Sequence, residues 1–448
     1  MCSFLFTSVS NPELALLSNS SRLKRRGPDH TEICSINGQT IIHNLLSLNG
    51  VYTPQPVFLE HKNAYLFFNG EIYNDEIYSY YSGSDTAFLA SLFDSCPEEE
   101  VAFQLDGEFV ICLYFATHHQ LLVCSDLFGT KPAWFGFSST SGDWAIASYS
   151  STLCELGMDH YVQIPPNRFI RFDLASRSII SCSPIHVNLV PNDESSFAKW
   201  CANFDQAIIK RKPAVGHLVI PLSSGMDSGL IAYRANKLGM NPLFLSIPGC
   251  EDHEIMLRRQ EQLGVEFLTL TWAEFLLAHE AMLLQVENFN YRRHQPLLDI
   301  DCLFDDPGTV GIFALLRYAK QFGCKVSFSG QGADEIYSDY GFQGKPLANV
   351  SSFAGMYPDD IHDIFPWKNL FSGTQRAYLM KDEHVAGSLG MESRYPFLDI
   401  QLFRSFLALP ASIKNATYKG PIGRWIEELR IPVASSKLGF SANRGLIA

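Results

Sequence analysis

The sequence predicts two domains of different class, an α+β domain built on short strands followed by a parallel α/β domain. Three observations carry that expectation. Up to about residue 185, short apolar strand patterns punctuated by turns dominate, at residues 64–68, 109–115, 120–124 and 168–172. The run Pro191-Asn192-Asp193-Glu194-Ser195-Ser196 is turn-forming and leads into a helical pattern over residues 197–211. From there, apolar strands at 217–222, 243–247 and 325–329 alternate with helical segments, the pattern of a parallel sheet. The turn-forming run sets the expected boundary, with domains over 1–190 and 191–448.

Composition narrows the class of protein. A chain of 448 residues that is 46% hydrophobic is long enough for two or three domains with proper cores. Its net charge of -13 argues against nucleic acid as a partner, since phosphate backbones are held by clustered Lys and Arg, and Lys24-Arg25-Arg26 is the only tight basic run. No apolar stretch approaches the roughly 20 residues of a membrane helix, so no membrane partner is expected. The start Met-Cys-Ser-Phe-Leu-Phe lacks the charged and apolar regions of a secretion signal. Eleven cysteines, odd in number and without Cys-x-x-Cys or Cys/His spacing, fit reduced thiols in a cytoplasm and make a structural zinc site unexpected.

In the first domain the leading element is Cys2. Removal of the preceding methionine leaves a thiol and a free α-amine on one residue, so the amine can serve as base for the sulfur. Arg26-Gly27-Pro28-Asp29 is a turn signal, Asn69-Gly70-Glu71-Ile72-Tyr73-Asn74 follows an apolar strand, and Gly83-Ser84-Asp85 opens a helical segment. These residues suit amide hydrolysis. An attacking thiolate creates an oxyanion, for which the Asn69 side-chain amide and the Gly70 backbone N–H are donors, and the Asp85 carboxylate suits the α-ammonium of an amino acid. Each also has an ordinary structural use, Asn-Gly as a turn and Asp85 as a helix cap.

In the second domain Ser223-Ser224-Gly225-Met226-Asp227-Ser228 joins a predicted strand to a predicted helix. Small residues at such a junction expose backbone N–H groups where the helix dipole is positive, which suits phosphate. Ser329-Gly330-Gln331-Gly332-Ala333-Asp334-Glu335 ends a second strand. Glu392-Ser393-Arg394-Tyr395-Pro396-Phe397-Leu398-Asp399 follows a helix, Lys437-Leu438-Gly439-Phe440 lies near the end, and Asp305-Asp306-Pro307 is a helix start.

Taken in this order, the motifs resemble the asparagine synthetase family. Cys2, RGPD, NGEIYN and GSD, with Leu105-Asp106-Gly107-Glu108-Phe109 and the Asp126 to Pro132 stretch, resemble its class II glutamine amidotransferase domain over about the first 170 residues. The likeness implies an N-terminal-nucleophile hydrolase sandwich, two sheets between helices, that hydrolyses glutamine. It places Asn69, Gly70, Glu71 and Asp85 around that glutamine. The Ser223 to Ser228 turn resembles the SGGxDS pyrophosphate loop of enzymes that form acyl-adenylates, with Ser224 replacing the first glycine. The likeness to the family's catalytic domain covers most of residues 200–445.

From the resemblance follow ATP and Mg2+ as cofactors and a set of roles. Asp227 and Asp334, each at a strand's C-terminal end, are the hard oxygen ligands for Mg2+ on the phosphates. Ser223, Gly225 and Ser228 cradle the pyrophosphate, and Leu222, Leu245, Ser329 and Gly330 match positions around the adenosine. Lys437 neutralises charge between acyl and α-phosphate groups. Arg394 either helps orient phosphates or acceptor or simply pairs with Glu392 or Asp399.

The implied function is ATP-dependent amidation. An acceptor carboxylate is adenylated, and ammonia released from glutamine at Cys2 reaches it by a sheltered path and displaces AMP. Two departures qualify the match. The family's His-x-Arg-Leu-Ser, whose Arg grips the glutamine carboxylate, here reads His43-Asn44-Leu45-Leu46-Ser47. Gln331 stands where aspartate-using members carry glutamate, and it can neither hold negative charge nor accept a proton, so an acceptor other than aspartate is expected. An amide ligase or cyclase that uses a substrate amine, and a non-catalytic binding protein on the same fold, stay open as alternatives. The acceptor and the oligomeric state, a homodimer among the options, are not specified by the sequence.

Overall fold

The computed structural model describes residues 2–10, 21–74, 83–247, 251–294 and 299–434. The chain forms two compact units. The first is Met1–Val187 with Gln285–Glu287 and Gly387–Gly390, and the second comprises Asn188–Leu284, Asn288–Ala386 and Met391–Ala448.

The first unit is two six-stranded antiparallel sheets between helices. One sheet has the order β10-β8-β9-β1-β3-β2, with β1 (Ser3–Thr7), β2 (His30–Ile36), β3 (Gln39–Leu45), β8 (Trp134–Phe137), β9 (Trp144–Ala147) and β10 (His160–Gln163). The other has the order β12-β11-β7-β6-β5-β4, with β4 (Val57–Leu59), β5 (Ala64–Ile72), β6 (Gly107–Phe115), β7 (Gln120–Ser125), β11 (Arg168–Asp173) and β12 (Ser178–Ser183).

Period-two alternation explains the layering, because successive strand residues face opposite sides. Phe4, Phe6, Ile41, Phe67, Cys112, Val123 and Ile146 form one cluster between the sheets. Their neighbours in sequence point the other way. Leu66, Phe68, Ile111 and Leu113 pack under the helices Asp85–Ser95 and Glu98–Gln104 through Phe88, Leu89, Phe93 and Val101. Leu5, Ile42, Ala145 and Ala147 pack under Arg22–Arg26 and Ser150–Glu155 through Leu23 and Leu153. The result is the expected helix-sheet-sheet-helix sandwich. The NGEIYN motif differs in placement from the sequence expectation, since Asn69 to Ile72 extend β5 rather than follow it. Nine consecutive pairs with β6, from Ala64 and Phe115 to Ile72 and Gly107, hold the polar residues in the strand.

The second unit is built on a five-stranded parallel sheet of order β15-β14-β13-β18-β21. Its strands are β13 (His217–Pro221), β14 (Leu243–Ser246), β15 (Glu266–Phe267), β18 (Cys324–Phe328) and β21 (Glu392–Arg394). Two small hairpins, β16 (Asn290–His294) with β17 (Asp299–Cys302) and β19 (Gly341–Phe342) with β20 (Lys345–Pro346), lie outside it. The chain runs from β13 outward through β14 to β15, then returns to place β18 on the other side of β13. That reversal makes a switch point at the C-terminal ends of β13 and β18, the place where open α/β sheets bind ligands. Among the described residues no helix is long and apolar enough to cross a membrane, and the cysteines are free thiols.

Candidate functional site

In the first unit Cys2 is buried at the start of β1. The antiparallel register pairs Ser3 with Asn44 and Phe4 with His43, so continuing it by one residue sets Cys2 opposite Leu45. Arg26 fixes the Cys2 backbone. Its Nε donates to the Cys2 carbonyl at 2.9 Å and its Nη1 to the Tyr149 hydroxyl at 3.2 Å, from a fully buried position over the Tyr149 ring. The sequence placed Arg26 in a basic run and in the RGPD turn motif, without a contact to Cys2. Its role depends on β1 reaching it from the chain's far side, which no local pattern announces.

The strand carrying Asn69 meets β1 through Phe67, whose ring lies 5.4 Å from that of Phe4. Asn69 itself is 0% exposed, and among the described residues neither its Nδ2 nor its Oδ1 has a hydrogen-bond partner. A buried amide left unsatisfied costs free energy, and both of its polar atoms are available to a ligand. Gly70 follows with φ +151°, and a Cβ there would lie 2.2 Å from the Glu108 carbonyl oxygen, so only glycine keeps the strand pairing. His43 secures the same place from the facing sheet, with Nε2 at 3.1 Å from the Phe68 carbonyl. Only a protonated Nε2 can make that bond, and burial holds the ring neutral by pushing its pKa down to about 4.

The remaining candidate groups are knit by a loop that sequence reading missed. Asn49 Nδ2 donates to the buried Glu71, Val51 N donates to the Gly83 carbonyl, and Thr53 Oγ1 meets Ser84 Oγ at 2.8 Å. Ser84 caps the helix Asp85–Ser95 by accepting from Ala87 N, which leaves Asp85 in the first turn with its own Oδ1 accepting from Thr86 N. Leu45, 6% exposed, is packed in the core and cannot reproduce a guanidinium. Deeper still, the LDGEF and DLFGTKP stretches meet as a buried ion pair, Lys131 Nζ to Glu108 Oε2 at 3.6 Å. Asp126 beside them accepts from Phe109 N, Phe128 N, Thr130 N and Thr130 Oγ1. Burial still pushes its pKa up to about 6, against those bonds.

In the second unit the loop after β13 is shaped by its own hydroxyls. Ser223 N and Oγ both bond Ser228 Oγ, at 3.1 and 2.9 Å, and Gly225 N donates to Ser223 Oγ at 3.2 Å. Arg259 braces the loop from outside, accepting no bond and donating to the carbonyls of Ser223, Gly225 and Pro432. Burial pulls its pKa down to about 10. Ser224, the departure from the SGGxDS pattern, gives both its N–H and its hydroxyl to Glu251 Oε2 at 2.6 Å, and its carbonyl accepts from Ala434 N. The C-terminal segment is thereby tied to the loop. Lys437 lies outside the described residues.

The two candidate metal ligands come together. A Cβ on Gly330 would stand 3.0 Å from the Asp227 Cβ, so this glycine lets the β18 loop lie against the β13 loop. Lys419, which sequence reading did not single out, joins Asp227 and Asp334. Its Nζ donates to both Asp227 oxygens at 2.6 and 2.7 Å and lies 3.0 Å from Asp334 Oδ1, which also accepts from the Tyr418 hydroxyl at 3.2 Å. Burial disfavours the ammonium, but the two carboxylates outweigh it and hold its pKa above the ordinary lysine range. The signal available in the sequence was slight, a Lys-Gly-Pro at a helix start.

Other candidates sort by position. Leu222 N donates to the Leu245 carbonyl at 2.8 Å, bringing those residues together at the strand ends, although the Leu245 side chain is wholly buried. Ser329 Oγ donates to Asp382 Oδ2 at 2.5 Å and accepts from Gln331 N at 3.2 Å. Burial raises the pKa of Asp382. Arg394 pairs with Glu392 at 2.7 Å and with the Arg211 carbonyl, fully buried, so of its two readings the pairing one is observed. Asp306 caps the helix Pro307–Lys320 through Gly308 N and accepts from Lys381 and Tyr291.

Comparison with known proteins matches the same two regions. Residues 1–172 fit the glutamine amidotransferase domain model and residues 200–383 the asparagine synthase model. A putative glutamine-hydrolysing asparagine synthetase 1 of Methanocaldococcus jannaschii is 24% identical over 407 residues, 85% of this chain and 71% of the relative. Glutamine-hydrolysing asparagine synthetase 1 of Arabidopsis thaliana is 24% identical over 429 residues, 92% of this chain and 70% of the relative. The enzyme of Sandersonia aurantiaca has the same identity, with 78% of it covered. With both domain models matched in order and relatives alike over most of its length, the chain belongs, as a divergent member, to the glutamine-hydrolysing asparagine synthetase family.

Proposed function

We propose that this protein is an ATP-dependent amidotransferase that adenylates a carboxylate on an acceptor and converts it to an amide with ammonia from glutamine. We assign the glutaminase to residues 1–190 and the adenylating domain to 191–448. The observation that carries the reading is Asn69, a fully buried amide with unsatisfied donor and acceptor atoms on a strand in contact with that of Cys2.

In the glutaminase step Cys2 Sγ attacks the glutamine amide carbon while its α-amine takes the thiol proton. Asn69 Nδ2 and the Gly70 N–H receive the oxyanion, ammonia leaves, and water hydrolyses the thioester to glutamate. Glu71 and Asp85 orient the glutamine. In the synthetase step the acceptor carboxylate attacks the α-phosphorus of ATP and pyrophosphate leaves. Ammonia then attacks the acyl carbon and AMP leaves. Ser223, Gly225 and Ser228 hold the pyrophosphate, Leu222, Leu245, Ser329 and Gly330 border the nucleoside, and Lys437 steadies the charge between acyl and phosphate groups. One ammonium already reaches both Asp227 and Asp334, so the pair is spaced for a single cation, and Mg2+ bound there would supply charge neutralisation on the phosphates.

Gln331 and its neighbour Asp382 support an acceptor other than aspartate. The neutral amide at residue 331 removes a charge, and Asp382, linked to the same turn through Ser329, is buried, which raises its pKa. Leu45 favours a second reading, a ligase that uses a substrate amine over a silent first domain. The test is ATP/pyrophosphate exchange over a panel of carboxylic acids, followed by glutamine and mass spectrometry of products. The proposal expects one acid to support exchange and to gain an amide from glutamine. Exchange with amide formation from a substrate amine, indifferent to glutamine, would establish the second reading instead.

A further inference from the structure

Lys419 is placed where a metal-dependent site should need no lysine. Its ammonium contacts Asp227 and Asp334 at 2.6 to 3.0 Å, and its side chain is only 2% exposed, so the two carboxylates rather than water carry its charge. Its backbone has φ +60°, a left-handed conformation uncommon for a residue with a Cβ. Tyr418 adds a hydroxyl to Asp334 from the same turn.

A divalent cation taken up by the same two carboxylates repels the buried ammonium, which has little solvent to retreat to. The ammonium leaves only where another anion is within reach, and Asp227 lies in the first turn of the helix Met226–Lys237, within the candidate phosphate cradle of residues 223–228. We propose that Lys419 is an exchangeable counter-ion, which holds Asp227 and Asp334 while no nucleotide is bound and passes to the pyrophosphate moiety as the carboxylates take up a divalent cation. The inference rests on the metal-ligand reading of Asp227 and Asp334. Its consequence is that cation and pyrophosphate bind cooperatively, and by linkage each strengthens the other by the same factor.

The experiment is Mn2+ titration of the full-length protein, followed by electron paramagnetic resonance at fixed free Mn2+, with and without inorganic pyrophosphate. Pyrophosphate should tighten Mn2+ binding to the unmodified protein by about tenfold or more. Lys419→Met should bind Mn2+ alone about tenfold tighter than the unmodified protein and lose most of the pyrophosphate effect. It should also melt at lower temperature in chelator and recover with Mn2+. Lys419→Arg, which keeps the charge, should bind Mn2+ alone no tighter than the unmodified protein. Equal Mn2+ affinity of Lys419→Met and unmodified protein, with binding lost in Asp227→Asn, would overturn the counter-ion while leaving the metal pair standing. Undiminished binding in Asp227→Asn would remove the metal reading and the proposal together. Should Lys419→Met fail to fold, absence of pyrophosphate coupling in the unmodified protein, or tighter Mn2+ binding by Lys419→Arg, overturns the proposal.

Discussion

The two units prepare for their ligands in opposite ways. Around Cys2 the structure leaves a dipole unsatisfied, with both polar atoms of Asn69 buried and unbonded. Around Asp227 a buried ammonium is matched instead, with one lysine held between two carboxylates. The difference follows from electrostatics. An unmet amide dipole costs about 1 to 3 kcal/mol, which a folded domain tolerates, whereas an unmatched buried charge costs several times more. On the proposed reading, the unmet amide is the donor for a transient oxyanion and the two carboxylates are the place of a cation beside a polyanion.

Replacing Cys2 is the largest break in this comparison. Cys2→Ala should lower glutamate release by about a thousandfold or more, because the nucleophile itself is gone, and should spare ammonium-dependent product formation. Paired glutamine- and ammonium-driven assays check this, and equal loss in both would show that Cys2 serves structure rather than attack.

Asn69→Ala tests whether the orphaned amide is held for chemistry. The glutaminase kcat should fall by about a hundred- to a thousandfold. Stability should not fall with it, because the amide has no partner to lose. Chemical denaturation beside steady-state kinetics separates the two, and a large loss of stability would mean that Asn69 is bonded within the fold after all.

Acid should act on the first unit through His43. Its folded pKa of about 4 lies below the ordinary value of 6.5, so the neutral ring contributes stability that is present above pH 6.5 and lost as pH falls toward 4. The shift corresponds to roughly 3 kcal/mol. His43→Gln keeps a donor for the Phe68 carbonyl without a titrating ring, so urea unfolding between pH 7 and 4.5 should show a shallower loss in the variant.

The smallest effect is expected at Leu45. An arginine beside Cys2 should lower the glutamine KM by about ten- to a hundredfold through a charge-assisted pair with the substrate carboxylate. It should also destabilise the glutamine-free protein, since the guanidinium would enter a buried place. A KM in the unmodified protein that is already low, and unmoved by Leu45→Arg, would point to another donor for the carboxylate.

Motifs whose chemistry lies in neighbouring residues were legible without coordinates. A cysteine behind the initiator methionine, an Asn-Gly pair near a strand, and small-residue turns ending in Asp227 and Asp334 identify themselves, because each depends on local spacing and on what those side chains can do. The alternation of Phe4, Leu5 and Phe6 likewise contains the two-sided burial of β1, although the strand's partners do not appear in it. Asn69 and Gly70 lay at the edge of legibility. Their turn-like composition pointed out of the strand, and pairing with β6 overrode it.

What the sequence by itself determined, then, is the order of the two chemistries and the types of group available for each. Tertiary structure alone decided which groups meet. Arg26 grips Cys2 across 24 positions, Arg259 braces the loop at Ser223 across 36, and Lys419 reaches Asp227 across 192. The physical reason is that a buried cation is chosen by the carbonyls and carboxylates that surround it in three dimensions. That set exists only after distant strands and turns have packed, so no window of sequence contains it.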